Sequence, residues 1–400
     1  MTTEEPLRIV ADENIPYAEQ VFGRIGRVTT LSGRHIRRGS IRDADILLVR
    51  SITRVDGALL EGSPVQIVGT ATIGLDHIDE YYLKSRGIRL ASAAGSNANS
   101  VAEYVSAALL HLSGKRSFRL KDTTLGVVGV GHIGGRVVTM AEGLGMKVLQ
   151  NDPPLARQTE DSKFLPLDAL MDADVITLHV PLTFQGQDAT HHLFDADRMY
   201  KMKRGSILIN TSRGPVVSGK GLRAALETDH LGGAVLDVWE NEPGIDVELL
   251  KLTDLGTHHI AGYSLDGKVN GTTMIYNEIC GFLGLKRPWR PEDVMPEAEV
   301  PLLKVQVSGE NDEVIIASIV RRIYDIKKDD EDLRKIMAIP ESSRGSFFDR
   351  LRRDYPVRRE FFNTELRLLG GGRELQRKFE KLGFRVGNGF QDKTGFNENC

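Results

Sequence analysis

Residues 125–152, LGVVGVGHIGGRVVTMAEGLGMKVLQND, limit what this chain can fold into more than any other stretch. A short apolar run (Leu125, Val127, Val128, Val130) leads into Gly129-x-Gly131-x-x-Gly134. An amphipathic segment follows, and then a second apolar run that ends at Asp152. The pattern predicts a strand, a tight turn, a helix and a second strand with an acid at its tip, which is the layout that receives a dinucleotide. Gly129 permits the turn, Gly131 leaves the backbone open to a pyrophosphate, and Gly134 lets the helix pack against the sheet. The helix start at His132 and Ile133 offers N–H groups and a partial positive charge to phosphate. Asp152 stands 18 residues past Gly134, where a carboxylate accepts hydrogen bonds from ribose hydroxyls and repels a 2′-phosphate. The first basic residue after it is Arg157, so the site reads as one for NAD rather than NADP. More than a hundred residues precede the motif, enough for a separate domain in front of it.

Those residues also alternate strands with helices. LRIVAD (7–12), ILLVR (46–50), VQIVG (65–69) and IRLAS (88–92) read as short buried strands. After Asp152 the alternation continues with VITLHVPL (175–182), SILINTS (206–212), GAVLDVW (233–239) and GTHHIAG (256–262). The fold class expected is α/β: two doubly wound parallel-sheet domains, a flavodoxin-like one and a Rossmann NAD domain, followed by a small α+β C-terminal domain. The expected boundaries are 1–97, with 271–285 packing back onto it, then 98–270 including a linking helix from Ala98 to Leu112, then 286–400. Asn97 or Asn99 would cap that helix. Prolines at 288, 291, 296 and 301 mark the linker to the last domain. There LLKVQV (302–307) reads as a strand and VIIASIVRRIYDI (314–326) as a helix, before a charged stretch over 327–360 and polar, frayed final residues.

Composition narrows the class of partner. The chain has 400 residues, 27% charged, with a net charge of −3, which gives no basis for nucleic-acid binding. No segment approaches 18 uninterrupted apolar residues, so no membrane span is expected, and the N-terminus shows no secretory pattern. The two cysteines, Cys280 and Cys400, have no metal-ligand or redox spacing, which points to a reducing cytoplasm and no metal.

Three polar residues lie at or just beyond the later strands. Arg213 can hold a carboxylate through two parallel hydrogen bonds and polarise the oxygen at the adjacent carbon. His259 can take a hydroxyl proton as hydride leaves, and return it in reverse. Glu242 can bond the far imidazole nitrogen and fix its tautomer. Singly, each is more often a surface or structural residue; together, on successive strands of a dinucleotide sheet, they fit oxidation of a 2-hydroxy acid. Ser51 and Thr72 follow strands of the first domain and would line its side of a cleft, and Arg50 could reach a phosphate. Tyr263 is equally readable as a packing aromatic.

SRGPVV (212–217), LDVWENEP (236–243) and HHIAGYS (258–264) resemble the signature segments of the D-isomer-specific 2-hydroxyacid dehydrogenases. The resemblance covers roughly residues 7–285 and implies the same catalytic roles for Arg213, Glu242 and His259. It also implies that Asp237 and Gly262 meet the nicotinamide end of NAD. Narrower segments, including GTATIGLDHID (69–79), AGYSLDGKVNGTT (261–273) and IYDIKKDDEDLRKI (323–336), resemble one branch that acts on a small phosphorylated 2-hydroxy acid. That closer likeness implies substrate binding by Ser51, Thr72 and Tyr263, and homodimerisation through the C-terminal domain. Where the family often reads His-Thr-Pro-Leu, this chain has His179-Val180-Pro181-Leu182, so Val180 could offer only its backbone to NAD. Two other readings stay open on the residues alone: a dehydrogenase of a different 2-hydroxy acid, and a dinucleotide-gated binding protein without catalysis.

Overall fold

Runs such as ILLV and VITL have no polar face to turn to water, so they form strands only where both faces of a sheet are covered. The computed structural model describes residues 6–387 apart from 73, 287, 308 and 310; the C-terminal residues expected to be frayed, with Cys400, lie outside this range. The chain divides into two compact units. One joins the residues up to Ser100 with Gly262–Pro296, and the other joins Val101–Ala261 with the residues from Glu297 onward.

The first unit holds a five-stranded parallel sheet of β1 (Leu7–Asp12), β2 (Gly26–Leu31), β3 (Ile46–Val49), β4 (Ile67–Thr70) and β5 (Arg89–Ser92), in the order β2-β1-β3-β4-β5. On one face, Ile9, Ala11, Ile46, Leu48 and Ile67 pack with Ile275, Tyr276 and Ile279 of the helix Leu265–Phe282. On the other, Val10, Leu47, Val49 and Val68 pack with Ile41, Leu60 and Leu83. Strand β2 was not expected: GRVTTL lies at the sheet edge and is only half-buried, so its hydrophobic signal is diluted.

The second unit carries a six-stranded parallel sheet: β6 (Thr124–Val128), β7 (Lys147–Asn151), β8 (Val175–Leu178), β9 (Ile207–Asn210), β10 (Gly233–Leu236) and β11 (Leu255–Gly256). Their order is β11-β10-β9-β8-β6-β7, so the direction of strand succession reverses between β6 and β8. The helix Ala98–Arg116 runs four residues beyond the expected Leu112. The expected strand over 256–262 is corrected by the structure. Only Leu255–Gly256 pairs with β10, because Asp237 draws the following residues out into a loop.

The third sheet, β12 (Leu302–Gln306), β13 (Glu365–Leu369) and β14 (Arg385–Val386), belongs to the second unit, and all its pairings are parallel. The charged stretch before β13 contains two unexpected helices, Ile326–Arg334 and Glu341–Arg353. They place Leu333, Phe347 and Phe348 against Leu208, Leu236, Leu250 and Trp239 of the six-stranded sheet's core. Among the described residues no helix is long and apolar enough to cross a membrane.

Candidate active site

The glycine turn follows β6 at the point where strand succession reverses, which is where open α/β sheets bind ligands. Gly129 has φ 85°, and a Cβ there would stand 2.7 Å from the His179 carbonyl oxygen. A Cβ on Gly134 would stand 1.9 Å from the Gly129 oxygen. Gly131 is different: a Cβ there would meet nothing within 4 Å. The chain's own packing therefore demands glycine at 129 and 134 but not at 131, where the open space suits a pyrophosphate. The helix His132–Gly143 begins without a side-chain cap at Gly131, which leaves its first N–H groups to an outside acceptor. Ile133 lies one residue into this helix.

Asp152 Oδ2 accepts a hydrogen bond from the Val130 N–H (2.8 Å), and Oδ1 caps the helix Pro153–Thr159 through the Leu155 N–H (3.0 Å). The half-buried acid thus fixes the tip of β7 to the turn. Val180 follows β8, and its Cγ1 would be 2.9 Å from a Cβ on Gly129. These residues fit an NAD-type cofactor.

The catalytic candidates stand at the ends of the next three strands. Asn210, fully buried at the end of β9, was missed by the sequence reading. Its Oδ1 accepts from the Ser212 N–H (3.0 Å) and hydroxyl (2.8 Å), and its Nδ2 donates to the Arg213 carbonyl (2.9 Å). Arg213 Nη1 donates to the Ser212 carbonyl at 2.8 Å. Gly214 passes so close to the Trp239 carbonyl that a Cβ would stand 1.9 Å from its oxygen. Arg213 is therefore set on a segment fixed to the end of β9 and packed against the residues just past β10.

Past β10, the Trp239 N–H donates to Glu242 Oε1 at 2.8 Å. Glu242 Oε2 lies 2.7 Å from His259 Nδ1. Burial opposes ionisation of Glu242, but His259 and the Trp239 N–H outweigh it and hold the carboxyl below its ordinary range. The pair is only partly exposed, 33% for the imidazole and 20% for the carboxylate side chain.

His259 has φ 60°, an uncommon conformation for a non-glycine residue. Asp237 enforces it. The Asp237 carbonyl accepts from the His259 N–H (2.8 Å). Its Oδ1 accepts from the Thr257 hydroxyl (2.6 Å) and the Ile260 N–H (2.8 Å), and its Oδ2 from the Ala261 N–H (2.9 Å). Trp239 Nε1 adds a bond to the Thr257 carbonyl at 2.8 Å. Asp237 is 1% exposed, and its visible work is to shape this loop. The neighbouring His258 is 2% exposed with its ring edge-on to Tyr355, and burial pushes its imidazole down to about 4. His258 is thus a neutral core residue, and His259 the half-exposed, paired one.

Residues 88–261 match the family model of the D-isomer specific 2-hydroxyacid dehydrogenase NAD binding domain, and residues 294–383 match a domain of unknown function. The chain is 46% identical over 364 residues to erythronate-4-phosphate dehydrogenase of Salinibacter ruber, covering 88% of this chain and 92% of the relative. It is 44% identical over 382 residues to the enzyme of the same name from Azotobacter vinelandii, covering 94% and 99%. The chain belongs to the erythronate-4-phosphate dehydrogenase family.

That family sits within the D-isomer-specific 2-hydroxyacid dehydrogenases, and the chain is an NAD-dependent oxidoreductase. A Thermus thermophilus protein superposes with a TM-score of 0.59 at 26% identity, covering 70% of this chain and 99% of its own. The D-lactate dehydrogenase of Aquifex aeolicus, solved with NAD and lactic acid, superposes at 0.54 with 25% identity, covering 69% and 95%. The glycine turn, Asp152, Val180, Arg213, Asp237, Glu242 and His259 all fall inside the matched NAD-binding stretch.

The remaining site residues expected in this erythronate-4-phosphate dehydrogenase family member lie in the first unit. Half-buried Arg50 and exposed Ser51 directly follow β3. The Thr72 hydroxyl, just past β4, is 2.8 Å from the Thr70 hydroxyl, which is itself 3.1 Å from His77 Nε2. Tyr263 is half-buried with Lys268 Nζ 4.3 Å from its ring centre. Gly262 packs so closely on Asn97 that a Cβ would be 1.9 Å from its Nδ2. Arg50, Ser51, Thr72 and Tyr263 are therefore assigned to a different compact unit from Arg213, Glu242 and His259.

Proposed function

We propose that this chain oxidises 4-phospho-D-erythronate to 2-oxo-3-hydroxy-4-phosphobutanoate, a step of vitamin B6 biosynthesis, in the cytoplasm. Support for the substrate comes from the relatives' names, over nine-tenths or more of each relative's length. Support for the chemistry comes above all from one contact, His259 Nδ1 to Glu242 Oε2 at 2.7 Å. With Nδ1 held by the carboxylate, Nε2 is the nitrogen left for the substrate.

Bound NAD supplies the hydride acceptor. Arg213 holds the substrate carboxylate and polarises the oxygen on carbon 2. His259 Nε2 removes the proton of the carbon-2 hydroxyl as the carbonyl forms, and Glu242 stabilises the resulting imidazolium. Ser51, Thr72 and Tyr263 bind the substrate's hydroxyl-bearing portion, and Arg50 its phosphate. On the cofactor, Asp152 takes the adenosine ribose. Gly129, Gly131, His132, Ile133 and Gly134 take the pyrophosphate, and Val180, Asp237 and Gly262 border the nicotinamide end. Residues 1–97 with 271–285 serve as the substrate-binding domain, 98–270 as the NAD-binding domain, and 286–400 as a homodimerisation domain.

A panel of phosphorylated and unphosphorylated 2-hydroxy acids, scored by kcat/KM with NAD, tests the assignment. The highest value is expected for 4-phospho-D-erythronate; a higher one for 3-phosphoglycerate or glycolate would overturn it. His259→Ala should lower kcat on the order of 1000-fold while leaving NADH affinity nearly intact, because it removes only the proton acceptor.

A further inference from the structure

The loop that carries His259 is held by its N–H groups from one side, through Asp237. On the carbonyl side, the Ala261 oxygen accepts a hydrogen bond from Arg358 Nη2 at 3.1 Å. Arg358 lies 97 residues further along the chain, within the stretch that matches a domain of unknown function. Ala261 is also the last residue before the chain leaves the second unit. Both partners of this contact belong to that unit.

Arg358 is itself built into a buried polar group. Arg358 is 7% exposed, and its guanidinium carbon lies 4.3 Å from the ring centre of Tyr324. The Tyr324 hydroxyl donates to Asp329 Oδ2 at 2.8 Å, and the Tyr355 hydroxyl to the same oxygen at 3.0 Å. Glu103, 2% exposed on the helix Ala98–Arg116, accepts the Phe361 N–H at 2.7 Å and favours the charge on Arg358. A buried guanidinium is costly unless opposite charge and hydrogen bonds offset its lost hydration. Here the face of Tyr324 lies against it, the charges of Glu103 and Asp329 favour its protonated form, and one arm rests on the carbonyl two residues past His259.

We propose that Arg358 is a positioning residue for the catalytic loop: the C-terminal segment holds, through the Ala261 carbonyl, the strained backbone that Asp237 holds through its N–H groups. The kinetic part of this inference rests on the function proposed above; the mechanical part does not. Arg358 does not touch the reacting atoms. It acts by keeping His259 in its φ 60° conformation with Nδ1 on Glu242.

The test compares the full-length wild type with Arg358→Gln, Arg358→Lys and, as a surface control, Arg353→Ala. Arg353 is an exposed partner of Asp354. Three readouts are taken: kcat and KM across pH, NADH affinity, and amide exchange of the peptide spanning 257–262 relative to that spanning 124–151. Arg358→Gln should lower kcat on the order of tenfold to 100-fold with NADH affinity within about twofold, as expected for losing a charged hydrogen bond that orients the base. It should also speed exchange in 257–262 by about tenfold or more without matching change in 124–151. If the glutamine variant does not fold, Arg358→Lys decides. It keeps the buried charge but lacks the second arm that reaches Ala261, and should show the same faster exchange with at least a severalfold loss of kcat. A folded variant with wild-type exchange in 257–262 and a wild-type pH profile overturns the proposal, even if its melting temperature falls. If the wild type does not oxidise 4-phospho-D-erythronate, the proposed function falls, and the exchange readout alone still decides whether Arg358 holds the loop.

Discussion

The glycine turn at 129–134 and the loop at 257–261 both lie at the ends of parallel strands and both belong to the active site proposed above, yet they are made in opposite ways. The turn works through missing side chains. Its shape follows from local sterics, and its helix start is left uncapped for a ligand. The loop works through side chains brought from elsewhere. Asp237, Trp239, Glu242 and Arg358 each contribute a hydrogen bond to it, and without them φ 60° at His259 would relax. A phosphate site needs room and free N–H groups, whereas an acid–base site needs one nitrogen held in one orientation. The first is met by a local motif, the second only by a folded neighbourhood.

This contrast can be broken at the turn first. Gly134→Ala forces a Cβ to 1.9 Å from the Gly129 oxygen, so NADH affinity should fall on the order of 100-fold or more, measured by fluorescence titration. Affinity near wild type would mean the turn tolerates rearrangement.

The next largest effect lies in the loop. His258 titrates at about 4 in the folded chain, against 6.5 for an unperturbed imidazole. Between those values only the unfolded chain takes up the proton, so stability falls as pH drops through that window. At about 1.4 kcal/mol per unit the loss is on the order of 3 kcal/mol. His258→Phe should flatten urea-unfolding stability between pH 6.5 and 4 relative to wild type; an unchanged slope would contradict the buried, neutral assignment.

The smallest effect sharpens the contrast. Gly131→Ala meets no atom of the chain within 4 Å, so the melting temperature should hold while NADH affinity falls about tenfold. Lost stability with unchanged affinity would reverse the reading of that glycine.

The same difference explains what the sequence made legible. The turn, its acid and most of the buried strands were readable, because each is a local pattern of apolar runs, glycines and caps. Arg213, Glu242 and His259 were read from their place at or just beyond successive strand candidates and from the family resemblance of the segments that carry them. The half-buried edge strand β2 and strand β13 were not: in ELRLL only Leu366 and Leu368 are buried, so charged residues mask the alternation. The helix Glu341–Arg353 buries only Phe347 and Phe348 and reads as a charged stretch. GTHHIAG read as a strand because nothing local announces that Asp237, twenty residues upstream, will pull it out of the sheet. Arg358 sits among other arginines, and only the fold brings it to Ala261.

The most direct test of the account is the pH dependence of kcat/KM for alcohol oxidation in Glu242→Gln. The carboxylate is held ionised beside the imidazole, so neutralising it removes the charge that favours the protonated base. The acid limb of the profile should move to lower pH, kcat should fall on the order of tenfold to 100-fold, and NADH affinity should be unchanged. An unmoved acid limb with wild-type kcat would contradict the His259–Glu242 pair as the acid–base centre.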